Sequence, residues 1–334
     1  MTLKHKIVAF FMILAALMPC LDASARRYRK KDAVFRVDIR QDEKLRTDFQ
    51  QPLALMSCSG LKYDLEARLR SYVAFLAGEE LEGRAMGSSG SSAAAFFISG
   101  FFRNAGLEVK VNTFSSAGHT GRNILGMKRY PGANRYVVVM ASYDGLGRLG
   151  GKIYPCADAN ASGVAALLEL ASDVHKPVGR PKNFIYVALD GHNVGMSGGE
   201  ALVNYLASQG INPSSIAMVI NLDTMGSTLV PPSGSGKDYL IALGGGQMAY
   251  SMMYSNTGLN LDLSYDYYGS KGFTEMFYSR VSEQKHFLAL GVPCVMFTSG
   301  ITDHTFKTTD TAATLDYPVF ARRVEFIRRW MRRF

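Results

Sequence analysis

Short, unbroken apolar runs alternate along the chain with longer segments whose apolar residues recur every three or four positions. Runs at 136–140, 183–189, 216–222, 239–243 and 292–297 have the length and composition of strands buried on both faces. Between them, helical spacing marks 63–76, where Leu65, Leu69, Val73 and Leu76 share a face, and also 162–174, 198–208 and 318–334. The stretch 93–104 reads as a further helix stopped by Gly106, after a Gly- and Ser-rich loop at 87–92. Alternation of this kind predicts an α/β fold, with a mostly parallel sheet and helices on both faces. No internal repeat interrupts it.

The N-terminus departs from the pattern. Lys4 and Lys6 precede an apolar run from Ile7 to Leu21, followed by Ala23-Ser24-Ala25. A charged start, an apolar core and an A-x-A site predict a signal peptide over 1–25, hence export to the periplasm or beyond the cell. Cys20 raises a lipoprotein alternative, but Pro19 occupies the place where a small residue is needed. Residues 26–60 read as a polar leader and 61–334 as the main domain. No later segment is long and apolar enough to span a bilayer.

Cleavage after Ala25 removes two lysines and one aspartate, so the formal charge falls from +9 to +8. It leaves Cys58, Cys156 and Cys294, an odd number without zinc-knuckle spacing. Positive charge gathers at 26–31 and in the last segment, where Phe320, Val324, Ile327 and Met331 predict a docked helix with Arg322, Arg323, Arg328, Arg329, Arg332 and Arg333 facing outward. Such a face suits anionic lipid, an acidic partner or plain solvent. No nucleic-acid motif accompanies it.

In a parallel sheet, ligands sit beyond the carboxyl ends of the strands. Those ends carry Ser142-Tyr143-Asp144, Asp190-Gly191-His192-Asn193 and Asp223-Thr224, with Asp158-Ala159-Asn160 before a helix. Ser282-Glu283-Gln284 and Asp303-His304-Thr305-Phe306 follow near the C-terminus.

From about Tyr63 onward these blocks resemble the dizinc aminopeptidases of metallopeptidase family 28, relatives of bacterial leucyl aminopeptidases and glutaminyl cyclases. The resemblance rests on the segment from Phe75 to Arg84 and on Asn160-Ala161-Ser162-Gly163-Val164-Ala165-Ala166-Leu167-Leu168-Glu169, found in order. It implies the zinc-aminopeptidase fold and a site with five zinc ligands and a glutamate base. Carried over, the ligand positions are Ser142, Ala159, Asn193, Asp223 and Phe306, and the base position is His192. Only Asp223 keeps its ligand. Alanine and phenylalanine offer zinc no lone pair, and neutral serine and asparagine bind it poorly. The expectation is therefore an exported relative without zinc, a non-catalytic binder of a peptide or protein terminus in the former cleft.

Two other chemistries stay open at this level. Ser142, His192 and Asp223 are the residue types of a nucleophile, base and orienter. Asp158, Asp190, Asp223, Glu283 and Asp303 could together suit calcium or magnesium; otherwise Asp144 and Asp190 orient loops, and Glu283 and Asp303 are surface charges. His119, His175 and His286 read as surface or satisfied histidines. Tyr265, Tyr267, Tyr268 and Phe273 read equally as a mobile lid or as packing. Gly244-Gly245-Gly246 lacks phosphate-loop spacing.

Overall fold

The computed structural model describes residues 64–173 and 181–334. The signal peptide, the polar leader, Cys58 and His175 lie outside the described residues.

Helix α1 (Leu65–Leu76) opens on Asp64, whose carboxylate accepts from the Ala67 N–H. Helix α2 (Ser89–Asn104) opens on Ser88, which accepts from the Ser91 N–H. Part of the expected loop at 87–92 is thus the first turn of a helix. Serine next to glycine is as much a cap signal as a loop signal, and here the cap prevails.

Strands β1 (Glu108–Ser116) and β2 (His119–Lys128) form an antiparallel hairpin. There follow β3 (Tyr136–Ser142), the small hairpin β4 (Gly147–Leu149) and β5 (Lys152–Tyr154), and α3 (Gly163–Ala171). Next come β6 (Asn183–Leu189), α4 (Ser197–Ser208), β7 (Ile216–Asp223) and β8 (Tyr239–Leu243). The chain continues through α5 (Ala249–Ser255), β9 (Asp262–Ser264), α6 (Lys271–Ser279) and α7 (Gln284–Leu288) to β10 (Cys294–Thr298) and α8 (Tyr317–Met331).

Eight strands make one mixed, mostly parallel sheet in the order β1-β2-β6-β3-β7-β10-β8-β9. The central β6, β3, β7 and β10 are parallel, and the β1–β2 hairpin joins antiparallel to β6. Both faces of the centre are covered. Val138 and Met140 of β3 pack in one cluster with Leu202 and Leu206 of α4 and Phe287 of α7. The alternate Val137, Val139 and Ala141 are fully buried on the opposite face, where α3 lies against β3. Burial on both sides is why these strands read as unbroken apolar runs.

The last helix corrects one expectation. Phe320, Val324, Ile327 and Met331 are buried as the pattern predicts, but Arg323 does not face outward. It is fully buried and donates to the carbonyls of Tyr239, Met225 and Ser227. Its position three residues after Phe320 puts it on the docked face, where the first carbonyl of β8 and two loop carbonyls take up its donors. Arg328 is also drawn in, to Glu169 and Glu325. Among the described residues no helix is long and apolar enough to cross a membrane.

Candidate functional site

The site is assembled at the adjacent carboxyl ends of β6, β3 and β7. Asn160 joins β3, β7 and the start of α3. Its side-chain amide donates to the Ser142 and Leu222 carbonyls (3.3 and 3.0 Å), and its oxygen accepts from Gly163 and Thr224 N–H (3.2 and 3.0 Å). Gly163 permits this closeness, because a Cβ there would strike Asn160 and the Leu222 carbonyl. The preceding residues are held by Asp310, whose two oxygens accept from the N–H groups of Asp158 (2.8 Å) and Ala159 (3.1 Å). Buried Arg84 adds bonds to the carbonyls of Leu76, Tyr143, Pro155 and Cys156.

Asp144 fixes the loop after β6. It accepts from His192 N–H (2.9 Å), Asn193 N–H (3.0 Å) and the Asn193 amide (3.2 Å). Asp190 does similar work next door, accepting from Arg122 N–H and the hydroxyls of Tyr143 and Ser91. Both aspartates orient loops.

Beyond this frame stands an ion pair. His192 Nδ1 lies 2.7 Å from Glu283 Oε1, with Glu283 buried and the His192 side chain 21% exposed. Glu283 was expected at the surface; it is buried because Ser282 and Gln284 on either side both receive the Asn221 amide (2.7 and 2.8 Å). The Ser282 hydroxyl stands between the Glu283 and Asp223 carboxylates.

Electrostatics decide the protonation state. Burial alone would lower the His192 pKa, but the Glu283 charge and hydrogen bond, with Asp223 and Asp144 behind, raise it to about 10. Burial pushes Glu283 upward, yet its bond to His192 wins and holds it below the usual carboxylate range. Asp223 is pushed up to about 6, mainly by burial, with His192 opposing and Glu283 adding. At neutral pH His192 is therefore an imidazolium with no lone pair to accept a proton.

The expected residues are placed as follows. Ser142, His192, Asn193 and Asp223 all sit at these strand ends. Ser142 does not face a base: its hydroxyl accepts from the Asn160 amide (3.3 Å), and His192 is oriented by Glu283 rather than Asp223. The Ser-His-Asp relay is not formed. Asp158 has one oxygen taken by Ser162 Oγ (2.9 Å) and Gly226 N–H (2.7 Å), while its other oxygen, Oδ2, is buried without a hydrogen-bond partner. With Asp158 and Asp190 bound in separate networks, the oxygen-rich set does not converge either. Phe306 is half-buried in a left-handed backbone conformation (φ 61°). His304 bonds Thr309, and His286 the Met196 carbonyl. Tyr267 is buried and Tyr268 donates to the Val230 carbonyl, so this aromatic pair is packing. Cys156 and Cys294 are unpaired and buried.

The architecture has known counterparts. The family model for Peptidase family M28 matches residues 123–331. The chain belongs to peptidase family M28. Among solved structures it is similar to a zinc aminopeptidase from Bacillus subtilis, with a TM-score of 0.63 and 14% identity over 80% of this chain and 94% of that one. The Legionella pneumophila LapA aminopeptidase gives 0.64 and 11% over 91% and 77%. Porphyromonas gingivalis glutaminyl cyclase gives 0.59 and 18% over 80% and 98%. No curated protein matches the sequence. Zinc of the kind named for the Bacillus subtilis aminopeptidase finds no fitting donors at the carried-over ligand positions of this chain. Asn193 is committed to Asp144, Ala159 and Phe306 offer nothing to coordinate, and no group of three or more metal-binding side chains occurs among the described residues.

Proposed function

We propose that this M28 protein is an exported pseudopeptidase that binds the amino terminus of a peptide or partner protein in the former active-site cleft. The observation that carries this reading is the His192–Glu283 pair. It puts a protonated histidine, already held by a carboxylate, at the position the family resemblance assigns to the base. An imidazolium cannot take a proton from water, and no zinc replaces its help. The charges nearby, His192 against Glu283, Asp144 and Asp223, leave the cleft net negative. That balance favours a terminal ammonium over a carboxylate.

Two measurements test the proposal. Metal analysis of the purified protein, with an aminoacyl substrate panel, is expected to give neither stoichiometric zinc nor turnover; finding both sinks the reading. Calorimetric titration with peptides bearing free or acetylated amino termini is expected to show binding only of the free form, weakened at least tenfold in Asp223→Asn.

A further inference from the structure

Helix α5 covers the end of α8 and leaves its own outer side bare. Met252 and Ser255 are buried, and the indole N–H of Trp330 on α8 donates to the Ser251 hydroxyl (3.1 Å). On the outward side Tyr250, Met253 and Tyr254 are 70%, 58% and 54% exposed. Spacings of three and four residues put them on one ridge. Tyr250 and Tyr254 meet edge to face with ring centres 5.2 Å apart. These three are half of the six large apolar side chains left exposed among the described residues. Single exposed apolar residues are ordinary, but three together mark a surface that meets something.

The charge beside the ridge is positive. From Tyr239 to Asn260 the chain has no Lys, Arg, Asp or Glu, so the charges next to α5 come from α8. Arg329 donates to the Thr257 carbonyl (3.0 Å), just past α5, and must share Glu325 with Arg328. Arg333 holds its guanidinium 5.5 Å from the centre of the Tyr254 ring and pairs with no carboxylate among the described residues. This combination suits a bilayer surface. Tyrosine settles at headgroup level with its ring inward and its hydroxyl in water, and guanidinium forks fit phosphates. The outer ridge of a helix is convex, which a bilayer accommodates, whereas the anchors of a protein interface need pockets to fill. A second copy of the same face would bring like arginines together.

We infer that the α5–α8 face docks on membrane surfaces containing anionic phospholipid. Tyr250, Met253 and Tyr254 enter the headgroup layer, and Arg329 and Arg333 meet lipid phosphates. The attachment is peripheral. It does not rest on the reading of the cleft, and neither requires the other.

The test puts a reporter on the ridge. The full chain with Met253→Cys in a Cys20→Ser/Cys58→Ser background is labelled with an environment-sensitive dye, Cys156 and Cys294 being buried. A control carries the dye through Val111→Cys, at an exposed position on β1, the sheet edge opposite β8 and β9. With vesicles of phosphatidylcholine containing one third phosphatidylglycerol, the dye at position 253 is expected to brighten and shift to the blue, and the dye at position 111 to stay as in buffer. Pure phosphatidylcholine is expected to need at least tenfold more lipid for the same response. Arg333→Glu is expected to weaken the response at least tenfold and Tyr250→Ser at least threefold, each with an unchanged melting temperature. Equal response to the two kinds of vesicle overturns the proposal, as does no response at position 253 or an equal one at position 111. A response that survives Arg333→Glu and Tyr250→Ser unchanged overturns it, because another part of the chain then carries the binding. Glycerophosphate giving the full response without vesicles, or a shift without lipid that grows with protein concentration, also overturns it. The face then takes a soluble phosphate or a second copy.

Discussion

His192 Nδ1 and Glu283 Oε1, 2.7 Å apart, come from segments 91 residues distant in sequence and hold the centre of the cleft together with opposite charges. The pair closes the α7 side of the site against the loop after β6, in the region where the family resemblance places a metal.

Glu283→Gln removes the counter-charge from a histidine that is largely enclosed. Loss of one partner from a buried pair costs about 3 kcal/mol. The expected results are a matching fall in denaturant midpoint and a His192 pKa well below its present value of about 10, read from the imidazole resonances by NMR. The sign follows from the raised folded-state pKa. The stabilisation from His192 is complete below the unfolded histidine value of about 6.5 and is lost as pH rises through about 10. Wild type should therefore lose stability between those limits more steeply than the variant.

Asp223 carries the opposite consequence at neutral pH. Its folded pKa of about 6 exceeds the unfolded value of about 3.9, so its contribution is full below pH 4 and is lost as pH rises through 6. Asp223→Asn should stabilise the protein by about 1–2 kcal/mol at pH 7.5 and change little at pH 4. Urea unfolding at the two pH values measures both. A uniform effect at both values would contradict the assignment.

Asp310 is buried and receives two backbone N–H groups. Asp310→Ala strands both donors, at a cost of about 3 kcal/mol. The melting temperature should drop by roughly 6–12 °C for a domain of this size. A drop of a degree or two would show that the turn at 157–162 is held by Asn160 alone.

Cys156 and Cys294 are buried, and burial pushes their thiols up to about 11 and 12. In a Cys20→Ser/Cys58→Ser background, Ellman's reagent should find no reactive thiol in the native protein and both after denaturation. Rapid native labelling would mean that one of them becomes exposed.

The sequence pattern located the central strands closely. The spans 183–189 and 239–243 coincide with β6 and β8 because strands buried on both faces are unbroken apolar runs. The β1–β2 hairpin escaped notice. An edge strand exposed on much of its length, such as Glu108–Ser116, has no such run, and its exposed and covered positions mix polar with apolar types. At the site, the chemistry of individual residues was legible but their pairing was not. His192 departs from the family's pattern, and the opposite charge of Glu283 could have suggested a partner for it. The bonds of Asp158 Oδ1 to Ser162 and Gly226 join residues up to 68 positions apart and were not legible in the sequence. Arg323 was misplaced because helical spacing places a residue on a face without telling whether carbonyls wait there.

Asn160 gives the cleft a property of its own. Its amide spans β3, β7 and the start of α3 through bonds that are entirely polypeptide. The ends of these elements are thus held in place by bonds of the chain itself. A replacement at Ala159 or Phe306 touches none of these four bonds, so side-chain chemistry can change at those positions while the frame around Asn160 stays.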